Sequence, residues 1–137
     1  MTTELVQLSF DKIMQTHTYT VIVLKNQEKK FAIYVETQVG KILQMYLADI
    51  EKPRPLTHDL ISSICKGLEI NVKQVVINDV QDTTYYARLY LEQMRGDIRH
   101  IVEIDGRPSD FITLALMHNA PVYCVKEVLE KAIPVID

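Results

Sequence analysis

The sequence predicts an α+β fold in which a β-hairpin followed by a helix occurs twice. Residues 18–25 and 31–36 are β-branched and aromatic runs separated by the polar loop NQEK, which is typical of a hairpin. Helical spacing of apolar residues then follows over residues 39–50, and it returns over residues 109–118 after a second set of strands. Hairpins give antiparallel neighbours, and each helix must bury its apolar face. We therefore expect a mainly antiparallel sheet with helices packed against it.

The other elements are predicted from the same signals in chain order. A second helix should begin at Thr57, because threonine is a suitable N-cap residue. Asp59 would lie in the first turn of this helix, where a negative charge complements the helix dipole. The third helix should follow Gly106, which permits a sharp turn, and Pro108, which presets the first helical φ. Further strands are predicted at residues 5–10, 72–80, 83–92, 99–105 and 121–125, and a last helical segment at residues 126–132.

An internal repeat supports the duplicated arrangement. The stretch IYVETQVGKILQMYL, residues 33–47, aligns without a gap with VEIDGRPSDFITLAL, residues 102–116. Val35 falls on Ile104 and Glu36 on Asp105, so strand falls on strand and helix on helix. We interpret the alignment as two duplicated ββα units, with chance similarity of two strand–helix segments as the alternative.

Composition limits the class of protein. A chain of 137 residues is long enough for one domain, residues 1–137, and no linker composition divides it. Its apolar runs are too short to span a membrane and no secretory leader is evident, so we expect a cytoplasmic protein. The net charge of −3 argues against a general nucleic-acid coat but leaves a local binding site open. Cys65 and Cys124 lack the spacing of a zinc site.

The segment EKPRPLTHDL, residues 51–60, is the first candidate site. Helix-start chemistry accounts for the prolines, Thr57 and Asp59, but it does not account for Arg54 or His58. An arginine held between two prolines is preorganised to bind a carboxylate or phosphate. A histidine at a helix start could act as a general base or could be an ordinary solvated ring.

The segment EIDGRPSD, residues 103–110, is the second candidate. Glu103 and Asp105 share one face of a strand, and Asp110 begins the following helix. Gathered carboxylates could hold a divalent metal such as magnesium, although dipole complementation by Asp110 and an ion pair with Arg107 explain the same residues. Because the two segments carry complementary charges, we expect them to meet in one polar site.

A homodimer or higher homo-oligomer is also expected. Apolar residues almost encircle the third helix between Phe111 and Met117, so this helix is either deeply buried or covered by a second subunit. Tyr85, Tyr86 and Tyr90 on one short strand add to the apolar surface. Closed symmetry is the common way to cover such a surplus.

Four stretches in this order, PRPLTHDL, YARLYL, VEIDGRPSDFITLAL and APVYCVKEVLEKA, resemble the bifunctional nuclease domain family. The resemblance implies a compact α+β domain with nuclease activity on both DNA and RNA, but it does not imply a settled catalytic set. We expect phosphodiester hydrolysis at a carboxylate and arginine site, with single-stranded DNA or RNA as partner. Two places depart from the family pattern: Phe111 and Thr113 in the helix, and Val39-Gly40-Lys41 in the first repeat.

Two functions remain open at this point. In a nuclease, the carboxylates would supply metal ligands or a base, His58 would transfer protons, and the arginines would hold phosphate. In a non-catalytic binding or regulatory module, the Arg-Pro loops would bind an anionic ligand or partner. The candidate catalytic residues are His58, Asp59, Glu103, Asp105 and Asp110, and the candidate substrate-binding residues are Arg54, Thr57, Arg107 and Ser109.

Overall fold

The chain folds into two three-stranded antiparallel units, each followed by a helix. The computed structural model describes residues 4–135, and within them it contains seven strands and four helices. Their bounds are β1 Leu5–Gln15, β2 Thr20–Lys25, β3 Lys30–Val35, α1 Thr37–Leu47, α2 Thr57–Gly67, β4 Ile70–Gln81, β5 Thr84–Arg95, β6 Ile98–Gly106, α3 Pro108–His118, β7 Val122–Val125 and α4 Lys126–Lys131.

All seven strands form one open sheet in the order β3-β2-β1-β7-β4-β5-β6. Every neighbouring pair is antiparallel except β4 and β7, which run parallel. The two units thus lie side by side, joined through the short strand β7. This architecture confirms the predicted α+β class and the mainly antiparallel sheet, and each unit has one strand more than the ββα unit predicted from the sequence.

The repeat is offset from the gapless alignment by two residues. β3 ends at Val35, which the alignment places opposite Ile104, but β6 continues to Gly106. The helices show the same two-residue shift, since α1 begins at Thr37 and α3 at Pro108. The equivalent positions just before the helices are therefore Glu36 and Arg107, which are the N-cap residues of α1 and α3.

A curled sheet encloses the main core. The first half of β1 pairs with β7 and its second half with β2, with an irregularity between Phe10 and Lys12. Such bulges bend a strand and increase its twist. The result brings β3 close to β5 although four strands separate them, and the ring of Phe31 stacks on Tyr85 with centroids 5.5 Å apart.

Helix α3 is covered within the chain. Its residues Phe111, Ile112, Leu114 and Ala115 are all buried, and it packs against β4, β5, α1 and α2. Of the two explanations for its broad apolar surface, deep burial is the one observed. Its apolar residues therefore give no support to a second subunit, and the expectation of an oligomer needs a different surface.

Helix α2 begins at Thr57, as predicted, but its N-cap lies one residue earlier. Leu56 is the N-cap and Thr57 is the first helical residue, so the prediction of Thr57 as the cap is wrong. Leucine offers no side-chain acceptor. The carboxylate of Asp59 instead accepts a hydrogen bond from the Leu56 N–H at 2.8 Å, which satisfies the backbone donor from inside the helix.

The helices are short. The longest in the described part of the chain have 11 residues, and none is long and apolar enough to cross a membrane.

Candidate functional site

The two candidate segments meet where α2 and α3 begin. His58 Nε2 lies 3.0 Å from Asp110 Oδ1, and Arg107 Nε donates a hydrogen bond to Asp110 Oδ2 at 2.9 Å. Because an ionised carboxylate only accepts, Nε2 carries the hydrogen in the first contact. The two segments thus meet, as predicted, through the contact of His58 with Asp110. The single polar site that was expected from their complementary charges does not form, because Asp59 and the pair Glu103 and Asp105 have other partners.

The three residues differ in how much of each side chain is exposed to solvent. His58 is 6% exposed, and its Nδ1 is buried without a hydrogen-bond partner. The side chain of Arg107, by contrast, is 62% exposed. The hydrogen bond and charge of Asp110 raise the pKa of Arg107, and the charge of Glu36 acts in the same direction. The buried His58 and the half-buried Asp110 therefore support Arg107, which reaches solvent.

Arg107 reaches a cleft between the two repeat units. The N-terminal ends of α1 and α3, the β1–β2 turn, strand β3 and the β4–β5 turn surround a cavity of about 510 Å³. Its lining residues are Thr18, Tyr19, Ile33, Tyr34, Val35, Glu36, Val39, Thr83, Thr84, Tyr85, Arg107, Pro108 and Ser109.

The cleft combines three kinds of chemistry. Arg107 supplies a cation with several N–H donors, and Glu36 supplies a carboxylate close enough to influence the pKa of Arg107. Tyr19 and Tyr34 pack edge to face with ring centroids 5.4 Å apart, and they remain 41% and 58% exposed. Exposed aromatic rings beside a cation suit a ligand that has both flat rings and a negative charge.

Glu36, Tyr19 and Tyr34 were not among the residues that sequence reasoning selected. The tyrosines carry no motif, and they meet only because adjacent strands place them together. A signal for Glu36 did exist in the repeat. With the correct two-residue offset, Glu36 occupies the position of Arg107, whereas the gapless alignment placed it on Asp105.

Asp59 belongs to a neighbouring cluster outside this cleft. It forms an ion pair with Lys52 at 3.6 Å, and the Lys52 ammonium lies 4.5 Å from the centre of the Tyr46 ring. Burial and the charge of Asp59 raise the pKa of Tyr46 to about 12. Partial burial works to raise the pKa of Asp59, but the Leu56 N–H, Tyr46 and Lys52 together lower it below its ordinary value.

Arg54 and Thr57 also lie away from the cleft. Arg54 is exposed and lines a shallow depression of about 580 Å³ that it shares with Lys52 and Asp59. Thr57 is exposed at the first turn of α2 and is not among the residues that line the cleft. Ser109, in contrast, is buried in the wall of the cleft, where its backbone carbonyl accepts a hydrogen bond from Thr113.

Glu103 and Asp105 lie on the face of the sheet opposite the buried side chains of β5. They pair in register with Tyr90 and Arg88, which alternate with the buried Ala87 and Leu89. Arg88 contacts Glu103 at 3.2 Å and Asp105 at 3.6 Å, and the Tyr90 hydroxyl donates to Glu103 at 3.2 Å. This is an exposed ion-pair network, separate from the contact between His58 and Asp110.

The proposed carboxylate metal site is therefore not assembled. Asp59, Asp110 and the pair Glu103 and Asp105 each have different partners on different elements. Among residues 4–135 there is no group of three or more His, Cys, Asp or Glu side chains that could hold a metal ion. The four candidate carboxylates therefore do not converge on one magnesium ion, which proteins usually hold through one or two carboxylates together with water and substrate phosphate oxygens.

Fold and cleft together define an α+β domain with an arginine, a carboxylate and exposed aromatic rings facing one cavity. The chain belongs to the bifunctional nuclease domain family, whose model matches residues 21–136. An uncharacterized protein of Mycobacterium tuberculosis, present in two strains, is 29% identical over 123 residues, which are 88% of this chain and 71% of the relative. Bifunctional nuclease 2 of Arabidopsis thaliana is 25% identical over 107 residues, 76% of this chain but 32% of the plant protein.

Proposed function

We propose that this protein is a nuclease that hydrolyses phosphodiester bonds of single-stranded DNA and RNA in the cleft between α1 and α3. Family membership and the name of the plant relative support a nuclease-related function. The observation that carries the proposal is the position of Arg107, which is held by Asp110 and lines the cleft beside Glu36.

Arg107 is the proposed phosphate-binding residue. Its Nε is taken by Asp110, and this bond leaves the Nη hydrogens to bind two oxygens of a phosphate. The same hydrogen bonds would strengthen as negative charge develops on the phosphate oxygens in the transition state. His58 and Asp110 act as positioning residues, because they fix the guanidinium without lining the cavity themselves.

Glu36 is the proposed general base. It lines the same cavity as Arg107, and its carboxylate would accept the proton of a water molecule that attacks the phosphorus. The P–O bond to the leaving nucleoside oxygen breaks in the same step, and that oxygen takes a proton from solvent. Tyr19 and Tyr34 would stack on the bases flanking the scissile bond, an interaction that tolerates any sequence and both sugars. In this proposal Ser109 shapes the cavity wall, while Arg54, Thr57, Asp59, Glu103 and Asp105 have no part in the chemical step.

The test is cleavage of labelled single-stranded DNA and RNA by the pure protein, in EDTA and in magnesium. Arg107→Ala should lower the rate by about 10²-fold to 10³-fold, as expected for the loss of one donor to a developing oxyanion. Glu36→Gln should lower it by about 10²-fold or more, because it removes the base but keeps the shape. Arg95→Ala is the matched control, since Arg95 is exposed at the far end of β5.

The urea midpoint of each variant should accompany the rates. If Arg107→Ala loses cleavage but keeps the urea midpoint of the wild type, Arg107 acts in binding or catalysis and is not needed for stability. Wild-type cleavage by a folded Arg107→Ala protein would overturn the proposed site.

A non-catalytic binding module is the second candidate. The observation in its favour is the dispersal of the carboxylates, because many nucleases gather metal ligands and the described residues of this chain do not. In that case the same oligonucleotides would bind in the cleft with a dependence on Arg107 and emerge uncut. Binding and cleavage measured on the same samples separate the two functions.

A further inference from the structure

Ser109 lies in the wall of the cleft with an unused hydroxyl group. The residue is 4% exposed and lines the cavity. Across residues 4–135 no hydrogen-bond partner is found for this hydroxyl, and its oxygen is not one of the fully enclosed atoms that lack a partner. The small exposed part of the residue therefore includes the hydroxyl, which opens into the cleft. A polar side chain that is almost wholly buried and still has no protein partner points to a bound group.

The core of the protein fixes the position of this hydroxyl. Thr113 lies one helical turn further along α3 and is fully buried, and its own hydroxyl donates a hydrogen bond to the Ser109 carbonyl at 2.8 Å. Pro108 precedes Ser109 as the first residue of α3 and restricts the backbone there. Ser109 is thus held in place before any ligand arrives, which lowers the entropy that binding costs.

The first turn of α3 offers backbone donors beside the hydroxyl. The first hydrogen bond within the helix runs from the Phe111 N–H to the Arg107 carbonyl at 3.3 Å, and no side chain caps the helix. The N–H groups of Ser109 and Asp110 precede this bond, so they have no carbonyl within the helix to bind. A helix start with free N–H groups attracts anions, because the helix dipole is positive at that end.

We propose that the Ser109 hydroxyl and the N–H groups of Ser109 and Asp110 complete, with Arg107, an oxyanion pocket that holds the phosphate of a nucleotide. Arg107 is the N-cap residue of the same helix, so its guanidinium extends from the turn that carries the free donors. The Asp110 carboxylate does not compete for them, because Oδ1 contacts His58 and Oδ2 accepts from Arg107. The pocket rests on the proposed function for the source of the phosphate, a nucleic-acid strand.

The cleft favours a nucleotide over free phosphate. Its volume of about 510 Å³ lies within the range of roughly 300–1,000 Å³ that is typical of sites for small ligands. Tyr19 and Tyr34 line the same cavity, so a base could stack on an exposed ring while the phosphate occupies the pocket. Nucleotides released by cleavage keep a terminal phosphate, and they should therefore compete with the strand for this pocket.

NMR titration of the labelled full chain with thymidine monophosphate, inorganic phosphate and thymidine tests the pocket without any cleavage. The monophosphate should bind most tightly, and it should shift the backbone amides of Ser109 and Asp110. Ser109→Ala should raise the Kd of the monophosphate and of inorganic phosphate about tenfold, as expected for one hydrogen bond to a charged group, and leave that of thymidine unchanged. Ser63→Ala is the matched control, since Ser63 is exposed in the depression beside Arg54.

Ser109→Cys is a second variant, which keeps a side chain beyond Cβ but offers only a weak donor, and it should show the same loss of phosphate affinity. Urea midpoints must show that both variants are folded. A wild-type Kd for the monophosphate in both variants would overturn the pocket, as would an equal loss of affinity for thymidine, which indicates a merely structural role. Amide shifts confined to the depression around Arg54 and Lys52 would also overturn it.

The outcome separates this pocket from the proposed nuclease activity. Binding of the monophosphate that depends on Ser109, in a protein that cuts neither DNA nor RNA, would support the pocket and contradict the nuclease. Cleavage that depends on Arg107, without binding of the monophosphate, would support the nuclease and overturn the pocket.

Discussion

At the residue scale, burial rather than chemical type decides what His58 does. A histidine with 6% of its surface exposed cannot contact a polynucleotide directly. Its hydrogen bond to Asp110 fixes the carboxylate, which in turn holds Arg107 by its Nε. The sequence indicated a general base or a solvated ring, whereas the ring is buried and contacts the carboxylate that also accepts a hydrogen bond from Arg107.

His58→Ala should therefore be costly for stability. It removes a buried ring and leaves Asp110 without one of its donors, for a combined loss of about 2–4 kcal/mol in the free energy of unfolding. Thr57→Ala, one residue away but exposed, should change it by less than about 0.5 kcal/mol. Urea denaturation followed by circular dichroism measures both. Equal effects of the two substitutions would show that the contact of His58 with Asp110 adds little.

The residue-scale predictions succeeded where the interaction is local and failed where it depends on packing. Arg107 and Asp110 are three residues apart at a helix start, so their ion pair could be predicted from the sequence. Glu103 and Asp105 do share one face of a strand, as predicted. The sequence could not show on which side of the sheet this face lies, because that depends on which side of β5 is buried.

At the element scale, the sequence predicted each helix and strand but placed several ends too early. β1 continues to Gln15 because its second half has β2 as a partner, which no periodicity in the strand itself reveals. The same limitation affected the repeat. The similarity of residue types placed the end of β3 opposite Ile104. In the structure, the end of β6 and the start of α3 lie two residues further along the chain than this alignment predicts.

Two glycines make a matched test of the element boundaries. A Cβ at Gly106 would lie 2.5 Å from the ring of Phe111, which is buried under the start of α3. Gly106→Ala should cost about 1–3 kcal/mol, as for other overpacked sites. At Gly67, the last residue of α2, a Cβ meets nothing within 4 Å, so Gly67→Ala should stabilise by about 0.4–1 kcal/mol.

Urea unfolding of the two alanine variants checks this prediction, because the free energy of unfolding should fall for Gly106→Ala and rise for Gly67→Ala. A neutral Gly106→Ala would mean that the turn from β6 into α3 can open without cost.

At the scale of the whole molecule, the class of fold was predictable and the strand order was not. The α+β class follows from local patterns that recur along the chain. The central position of β7 does not, because a strand of four residues near the end of the chain gives no sign that it will join β1 to β4. The cleft has the same origin, since its walls come from both repeat units and meet only when β7 has joined them.

We propose that nucleic acid binds in the cleft between the two units, against Arg107. NMR spectra of the labelled protein, titrated with a single-stranded oligonucleotide that carries uncleavable phosphorothioate linkages, test it most directly. We expect the largest shifts at the Arg107 Nε–H and at the backbone amides of Tyr19, Tyr34 and Glu36, and we expect Arg107→Ala to abolish them. Shifts confined to the depression around Arg54 and Lys52, with the cleft unchanged, would contradict the claim.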